Sequence, residues 1–365
     1  MADPTIQTFC CRRTNETSIM GDQILDSFNT DAYNIVCIVS STIGVCGALY
    51  QILPREERRF SHRWLSSTTN RGRQIIVYLA IADLLASLGV LIRSSLWLEF
   101  RSRLMPGDDD TTNVVFCAIF SAWTQYFYMA TWIWTLCYAI DMRLILKEKE
   151  GYPQYYHLAA WTIPAVLTFL GLSLLYFPDA KCHSYQSLKL ALIKVLPNYL
   201  ATYIPITAIM ITNPILYKYS SQDMENVVHR SLGQITSKER DVIDAIKMKF
   251  FLINAAFYVC WAPNLISGFL LWTLWWHLPV GFLIGIWYIM AVTNPLQALF
   301  NSFVYRRWST GTERVYIPWR KIQEDSLRKF SLSQNGSKVS SAREELPLLQ
   351  SYPKNSINVY SSVQN

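Results

Sequence analysis

Charge is scarce in this chain: Asp, Glu, Lys and Arg make up 16% of its 365 residues, against 51% that are hydrophobic. So few charges cannot coat a soluble globule of that size, and the apolar surface must meet something other than water. Catalytic constellations are missing too. There is no His-Glu-x-x-His and no Gly-rich phosphate loop, and the five histidines are scattered across loops and span ends. No enzyme, metal or cofactor chemistry is therefore expected. Internal repeats and a second soluble domain are also lacking. The first thirty residues hold Asp3, Arg12, Arg13, Glu16, Asp22 and Asp26 with no apolar core of the signal-peptide kind. This predicts that no leader is cleaved and that the first membrane span serves as the targeting signal.

Long apolar runs, by contrast, recur. Seven reach the roughly 20 residues a helix needs to cross the hydrocarbon core: Tyr33 to Leu53, Ile75 to Leu98, Val114 to Ile140, Leu158 to Phe177, Leu196 to Tyr217, Phe250 to Trp272, and Val280 to Val304. Each can satisfy its own backbone in lipid only as a helix, so the fold class is all-α and integral to the membrane, a seven-transmembrane helix bundle. The segments after spans one, three and five hold six, three and six Lys or Arg, against two, three and none after spans two, four and six. By the positive-inside rule the amino terminus, residues 1–32, is lumenal or extracellular. The bundle then occupies 33–305, and the Ser-rich tail, 306–365, is cytosolic and largely disordered. Much of the net charge of +7 lies near lipid headgroups, which accounts for it without a nucleic-acid partner.

That topology sorts the cysteines. Cys117 opens the third span on the outer side and Cys182 lies in the next outer loop, both in an oxidising compartment, which predicts a disulfide between them. Cys37, Cys46, Cys137 and Cys260 sit inside spans as small packing residues. The pairing of Cys10 and Cys11 stays open. Asn15-Glu16-Thr17 is a glycosylation acceptor on the correct side, whereas Asn335-Gly336-Ser337 is on the wrong one.

Polar groups within the spans mark the candidate site. Asp83 lies about 12 Å from the basic end of its helix at 1.5 Å per residue, where a carboxylate needs a partner inside the bundle. Pro263 and Pro295 free the carbonyls of Val259 and Ala291 and bend their helices. Trp261, Asn264 and Asn294 stand beside those breaks, so a helix pivoting there would transmit ligand binding across the membrane. Thr124, Tyr128, Thr131 and Thr135 share one face of the third span, flanked by Gln125 and Trp132, and Arg93 lies high in the second. Turned inward, Arg93, Gln125, Tyr128, Trp132, Trp261 and Asn264 make an aromatic cavity with polar handles for a small amphipathic agonist. The same groups also suit ordinary helix packing, and Arg93 simple snorkelling. The seventh span has no Lys, which excludes a retinal Schiff base.

With these residues in hand, the chain resembles the rhodopsin-like receptor superfamily at Leu79-Ala80-Ile81-Ala82-Asp83, at Cys260-Trp261-Ala262-Pro263, and at the Cys117 and Cys182 pair. It departs from it at Asp141-Met142-Arg143, where an acidic residue is usually followed directly by Arg, and after Asn294-Pro295, which lacks the usual Tyr. It more closely resembles the ocular albinism type 1 receptor family. Thr8-Phe9-Cys10-Cys11, Ile92-Arg93-Ser94 with Trp97-Leu98, Phe116-Cys117, Cys137-Tyr138-Ala139 followed by Asp141, Asn213-Pro214-Ile215-Leu216 and Asn294-Pro295 carry the likeness across roughly residues 1–305. The resemblance implies a G-protein-coupled receptor of melanosomal and endolysosomal membranes, with a cell-surface fraction, that answers tyrosine-derived catechols such as L-DOPA through heterotrimeric G proteins.

On this reading Asp141, Arg143, Lys147, Lys247 and Lys249 border the G-protein face, where charge steers encounter. In the tail, Glu344 stands four positions before Leu348-Leu349, the spacing of a dileucine signal read by clathrin adaptor complexes. Tyr360 opens a looser tyrosine-type pattern. One rival is a lysosomal seven-helix transporter of the PQ-loop type, which needs internal symmetry and paired Pro-Gln dipeptides within helices. The one Pro-Gln here, Pro153-Gln154, is expected in a loop. A receptor-shaped scaffold without a ligand is the third reading.

Overall fold

The computed structural model describes residues 27–53, 63–104, 111–147, 149–176, 188–232, 237–273 and 279–307. They form seven long helices: α1 Thr30–Ile52, α2 Arg63–Leu104, α3 Thr111–Leu146, α4 Pro153–Tyr176, α5 Leu188–Leu232, α6 Ser237–Thr273 and α7 Val280–Ser302, with a π-helical turn at Phe303–Arg307. All seven are long and apolar enough to cross a membrane, and no strand occurs among the described residues. Several boundaries differ from the sequence expectation, and α2 begins at Arg63 rather than at Ile75. Helices α5 and α6 run past the apolar runs, to Leu232 and from Ser237, because a polar stretch free of Pro and Gly lets a helix continue after the lipid ends. Pro153-Gln154 opens α4 rather than lying in a loop, since proline's missing N–H is harmless in the first turn.

Polarity is inverted relative to a soluble protein. Large apolar side chains cover the outside, with Phe169 72% and Phe251 and Phe269 each 66% exposed, while Asp83, Arg93, Gln125, Asp141, Asn198, Asn264, Asn294, Gln297 and Asn301 are buried. Lipid suits the first set, and interhelical hydrogen bonds hold most of the second. Helix α3 is the central strut. Its Trp123 indole donates to the Leu85 carbonyl of α2 at 2.8 Å, its Tyr126 hydroxyl to the Trp161 carbonyl of α4 at 3.3 Å, and its Gln125 amide to Asn198 of α5 at 3.1 Å. The predicted Thr124, Tyr128, Thr131, Thr135 stripe is buried along its whole length. The three threonine hydroxyls turn back onto carbonyls of α3 itself.

Helix α1 begins with Asn29, whose side chain accepts from the Ala32 N–H at 3.0 Å, capping one of the orphan donors of the first turn. It then packs on α7 at the proline break. Ser40 donates to the Ala291 carbonyl that Pro295 leaves free, at 2.6 Å. A side chain on Gly44 would put its Cβ 2.2 Å from the Pro295 carbonyl oxygen, so only glycine allows this approach. Pro214 shows the same logic on α5, because the Met210 carbonyl four residues back accepts from Tyr258 of α6 at 2.6 Å.

Candidate ligand cavity and basic end

Away from the basic end the bundle encloses a cavity of about 30 Å³ lined by Tyr33, Val90, Arg93, Thr124, Tyr128, Asn264, Met290 and Asn294, among others. Of the six residues predicted to line a ligand site, it gathers Arg93, Tyr128 and Asn264 and leaves out Gln125, Trp132 and Trp261. Gln125 turns to α5 instead. The two tryptophans lie one layer deeper, where Trp261 meets Trp132 edge to face with ring centroids 4.8 Å apart, and Tyr128 at 5.1 Å. Arg93 is buried rather than snorkelled to the surface. The Tyr128 hydroxyl, buried at the cavity wall, makes no hydrogen bond among the described residues.

The cavity floor is tied shut by amides. Asn264 of α6 and Asn294 of α7 exchange hydrogen bonds of 2.9 and 3.3 Å, joining the two helices beside Pro263 and Pro295. A layer below, the Trp261 indole donates to Gln297 at 2.7 Å, and the Gln297 amide reaches Thr131 of α3 at 3.4 Å. Deeper still Asp83 receives 2.7 Å from Asn301, the partner an intramembrane carboxylate requires. Neither Gln297 nor Asn301 was singled out from sequence. Yet Asn294, Gln297 and Asn301 stand at i, i+3, i+7, a polar stripe on an otherwise apolar helix that periodicity makes visible.

At the basic end the predicted G-protein-facing residues separate. Asp141 is buried at 1% exposure and so does not border the surface. It accepts from Arg71 of α2 at 2.5 Å and from Tyr156 of α4 at 3.2 Å. Arg71 also donates to the Lys149 carbonyl at 3.1 Å, and the pair is packed so closely under the next loop that a Cβ on Gly151 would lie 1.9 Å from the guanidinium. Arg143 and Lys147 are part-exposed and share Asp223 of α5, at 3.5 and 3.7 Å, with Arg143 also over the Tyr219 ring at 4.7 Å. Lys247 pairs with Glu225, and the Lys249 ammonium lies 5.9 Å from the Tyr305 ring centroid. Tyr305, from the π-turn, meets Tyr138 of α3 edge to face at 5.1 Å. A buried tyrosine thus closes the end of α7, nearly three turns beyond the Asn294-Pro295 step where its absence stood out.

Cys117 is engaged in a disulfide, and Cys37, Cys46, Cys137 and Cys260 are free thiols. Cys182, Asn15, Glu344, Leu348 and Leu349 lie outside the described residues, as do Cys10 and Cys11. No cluster that would hold a metal occurs among the described residues.

Set beside known families, the chain matches the one described as ocular albinism type 1 protein over residues 1–362. It is 29% identical to G-protein coupled receptor 143 of Homo sapiens over 344 residues, covering 90% of this chain and 82% of that protein. Cyclic AMP receptor 4 of Dictyostelium discoideum is 24% identical over 254 residues, 65% of this chain and 51% of the relative. Frizzled-5 of Danio rerio is 33% identical over a shorter stretch of 110 residues, 27% and 19% of the two chains.

Proposed function

Since the chain belongs to the ocular albinism type 1 protein family, we propose that it is a G-protein-coupled receptor whose agonist is a small tyrosine-derived molecule of the L-DOPA kind. The observation that carries this reading is the trio of polar groups at one buried cavity: the Arg93 guanidinium, the unpartnered Tyr128 hydroxyl and the Asn264 amide. A carboxylate would face Arg93 in a charge-assisted pair, an aromatic ring would lie against Tyr128 and Met290, and ring hydroxyls would meet Tyr128 and the amides. Sites that bury a small molecule usually enclose at least about 300 Å³. The ligand must therefore part α6 from α7, and its hydroxyls compete for the amides that hold Asn264 to Asn294. Opening at Pro263 and Pro295 then spreads the basic end, where Arg143, Lys147, Lys247 and Lys249 receive a heterotrimeric G protein.

The positive-inside bias puts that end in the cytosol and the amino terminus in the lumen, where Asn15 is glycosylated and Cys117 pairs with Cys182. The tail carries the address. Glu344 with Leu348 and Leu349 forms an adaptor-binding peptide that draws the receptor into melanosomal and endolysosomal membranes, leaving a surface fraction.

The deciding experiment reconstitutes the full chain with heterotrimeric G protein and measures nucleotide exchange against a panel of amino acids, catechols and catecholamines. Exchange stimulated by L-DOPA in the wild type and lost in Arg93→Gln is the expected result. A flat response to the whole panel from folded receptor would refute the ligand assignment. Surface biotinylation of a Leu348→Ala, Leu349→Ala variant tests the address separately, with the surface fraction expected to rise; an unchanged fraction assigns sorting to another segment.

A further inference from the structure

Towards the basic end α5 and α6 diverge around a groove of about 490 Å³ that opens on the outside of the bundle. Its floor is Tyr217 and Phe250, buried and stacked with ring centroids 4.8 Å apart. Its far end is closed where Tyr258 takes the Met210 carbonyl released by Pro214. Two cations stand at its mouth. Lys247 is compensated by Glu225, but Lys218 is exposed and forms no ion pair among the described residues. Lys218 directly follows the apolar run that ends at Tyr217, on a helix, Val195–Asn226, that holds a membrane-length apolar window. An ammonium at that height, without an ion pair among the described residues, stands among lipid headgroups and attracts an anionic one.

We propose that this groove binds one anionic glycerophospholipid, its phosphodiester at Lys218 and Lys247 and the start of an acyl chain on the Tyr217 and Phe250 floor beside Ala255. The residues run in the order such a molecule needs, cations at the mouth and apolar wall within. A second copy of the chain fits less well, because spanning helices dock closely on small residues and this floor is aromatic. A neutral phospholipid has no net negative charge to offset the two lysines, whereas an anionic one brings a full unit. The site lies outside the agonist cavity and requires only that the chain cross a membrane; it shares Lys247 with the proposed G-protein face, and lipid binding is therefore read on the receptor without G protein.

Native mass spectrometry of the full-length protein in detergent, with phosphatidylserine or phosphatidylcholine added, reads the site directly. One phosphatidylserine adduct is expected on the wild type, retained at lower lipid concentration than phosphatidylcholine. Lys218→Gln should weaken it about fivefold, the loss of one lysine near an anionic headgroup, and Lys218→Arg should keep it. Ala255→Trp, which fills the apolar end and leaves both lysines in place, should also lose it without lowering the melting temperature. Equal retention by wild type, Lys218→Gln and Ala255→Trp would overturn the proposal. So would binding of soluble glycerophosphoserine as tight as that of the lipid, which makes the groove a plain anion site. A lipid-free dimer abolished by Ala255→Trp would give the groove to a second copy and overturn it as well.

Discussion

Asp141 and Arg143 stand two residues apart on α3, and residues at that spacing cannot share a helix face. The carboxylate therefore points inward to Arg71 and Tyr156, while the guanidinium reaches Asp223 and Tyr219 on α5. Sequence reading placed both on one surface because the two are adjacent in the pattern that ends the third span. Arg71 itself was hidden in a run of six basic residues that a charge count treats alike, and only the packing of α2 against α3 separates it from the rest. The pair is buried on the Asp side and 29% exposed on the Arg side. Replacing Arg71 by Ala leaves a buried carboxylate with only the Tyr156 hydroxyl. The expected loss is about 1 to 3 kcal/mol, below the full cost of breaking a fully buried pair because Arg71 meets solvent. Adding Asp141→Asn should recover most of the melting temperature. If Arg71→Ala melts with the wild type, the clasp contributes nothing to stability.

At the level of the helix, the prolines show what a membrane helix can tolerate. Pro295 and Pro214 each release a carbonyl, and in both places a hydroxyl from the neighbouring helix takes it, Ser40 for Ala291 and Tyr258 for Met210. The break thus becomes an interhelical joint. Seven spans were legible because apolar length alone defines them; the joints were not, since they depend on which helix arrives opposite each proline. Gly44 is the clearest case. Sequence shows a glycine among apolar residues, and only the approach of the Pro295 carbonyl gives it a reason. Gly44→Val should push α1 off α7 and cost about 1 to 3 kcal/mol, the usual range for overpacking. Gly285→Val, where nothing lies within 4 Å, is the matched control. Equal thermal stability of the two variants would mean that α1 and α7 pack loosely here.

For the molecule as a whole, the small cavity and the ties beneath it set an energetic balance between two arrangements of α6 and α7. If only the open one admits an agonist, the measured affinity is the intrinsic affinity reduced by the fraction of receptor already open. Gln297 holds Trp261 to Thr131 without lining the cavity, so it acts on that fraction alone. Gln297→Leu should raise agonist-free nucleotide exchange and lower the agonist dissociation constant together, by one and the same factor while the open form is rare, as reciprocity between linked equilibria demands. A rise in one without the other would break the two-arrangement description. The buried glutamine would then govern how much of the receptor signals unprompted, and sensitivity and background noise would be a single inherited quantity, adjustable at one side chain that never touches the ligand.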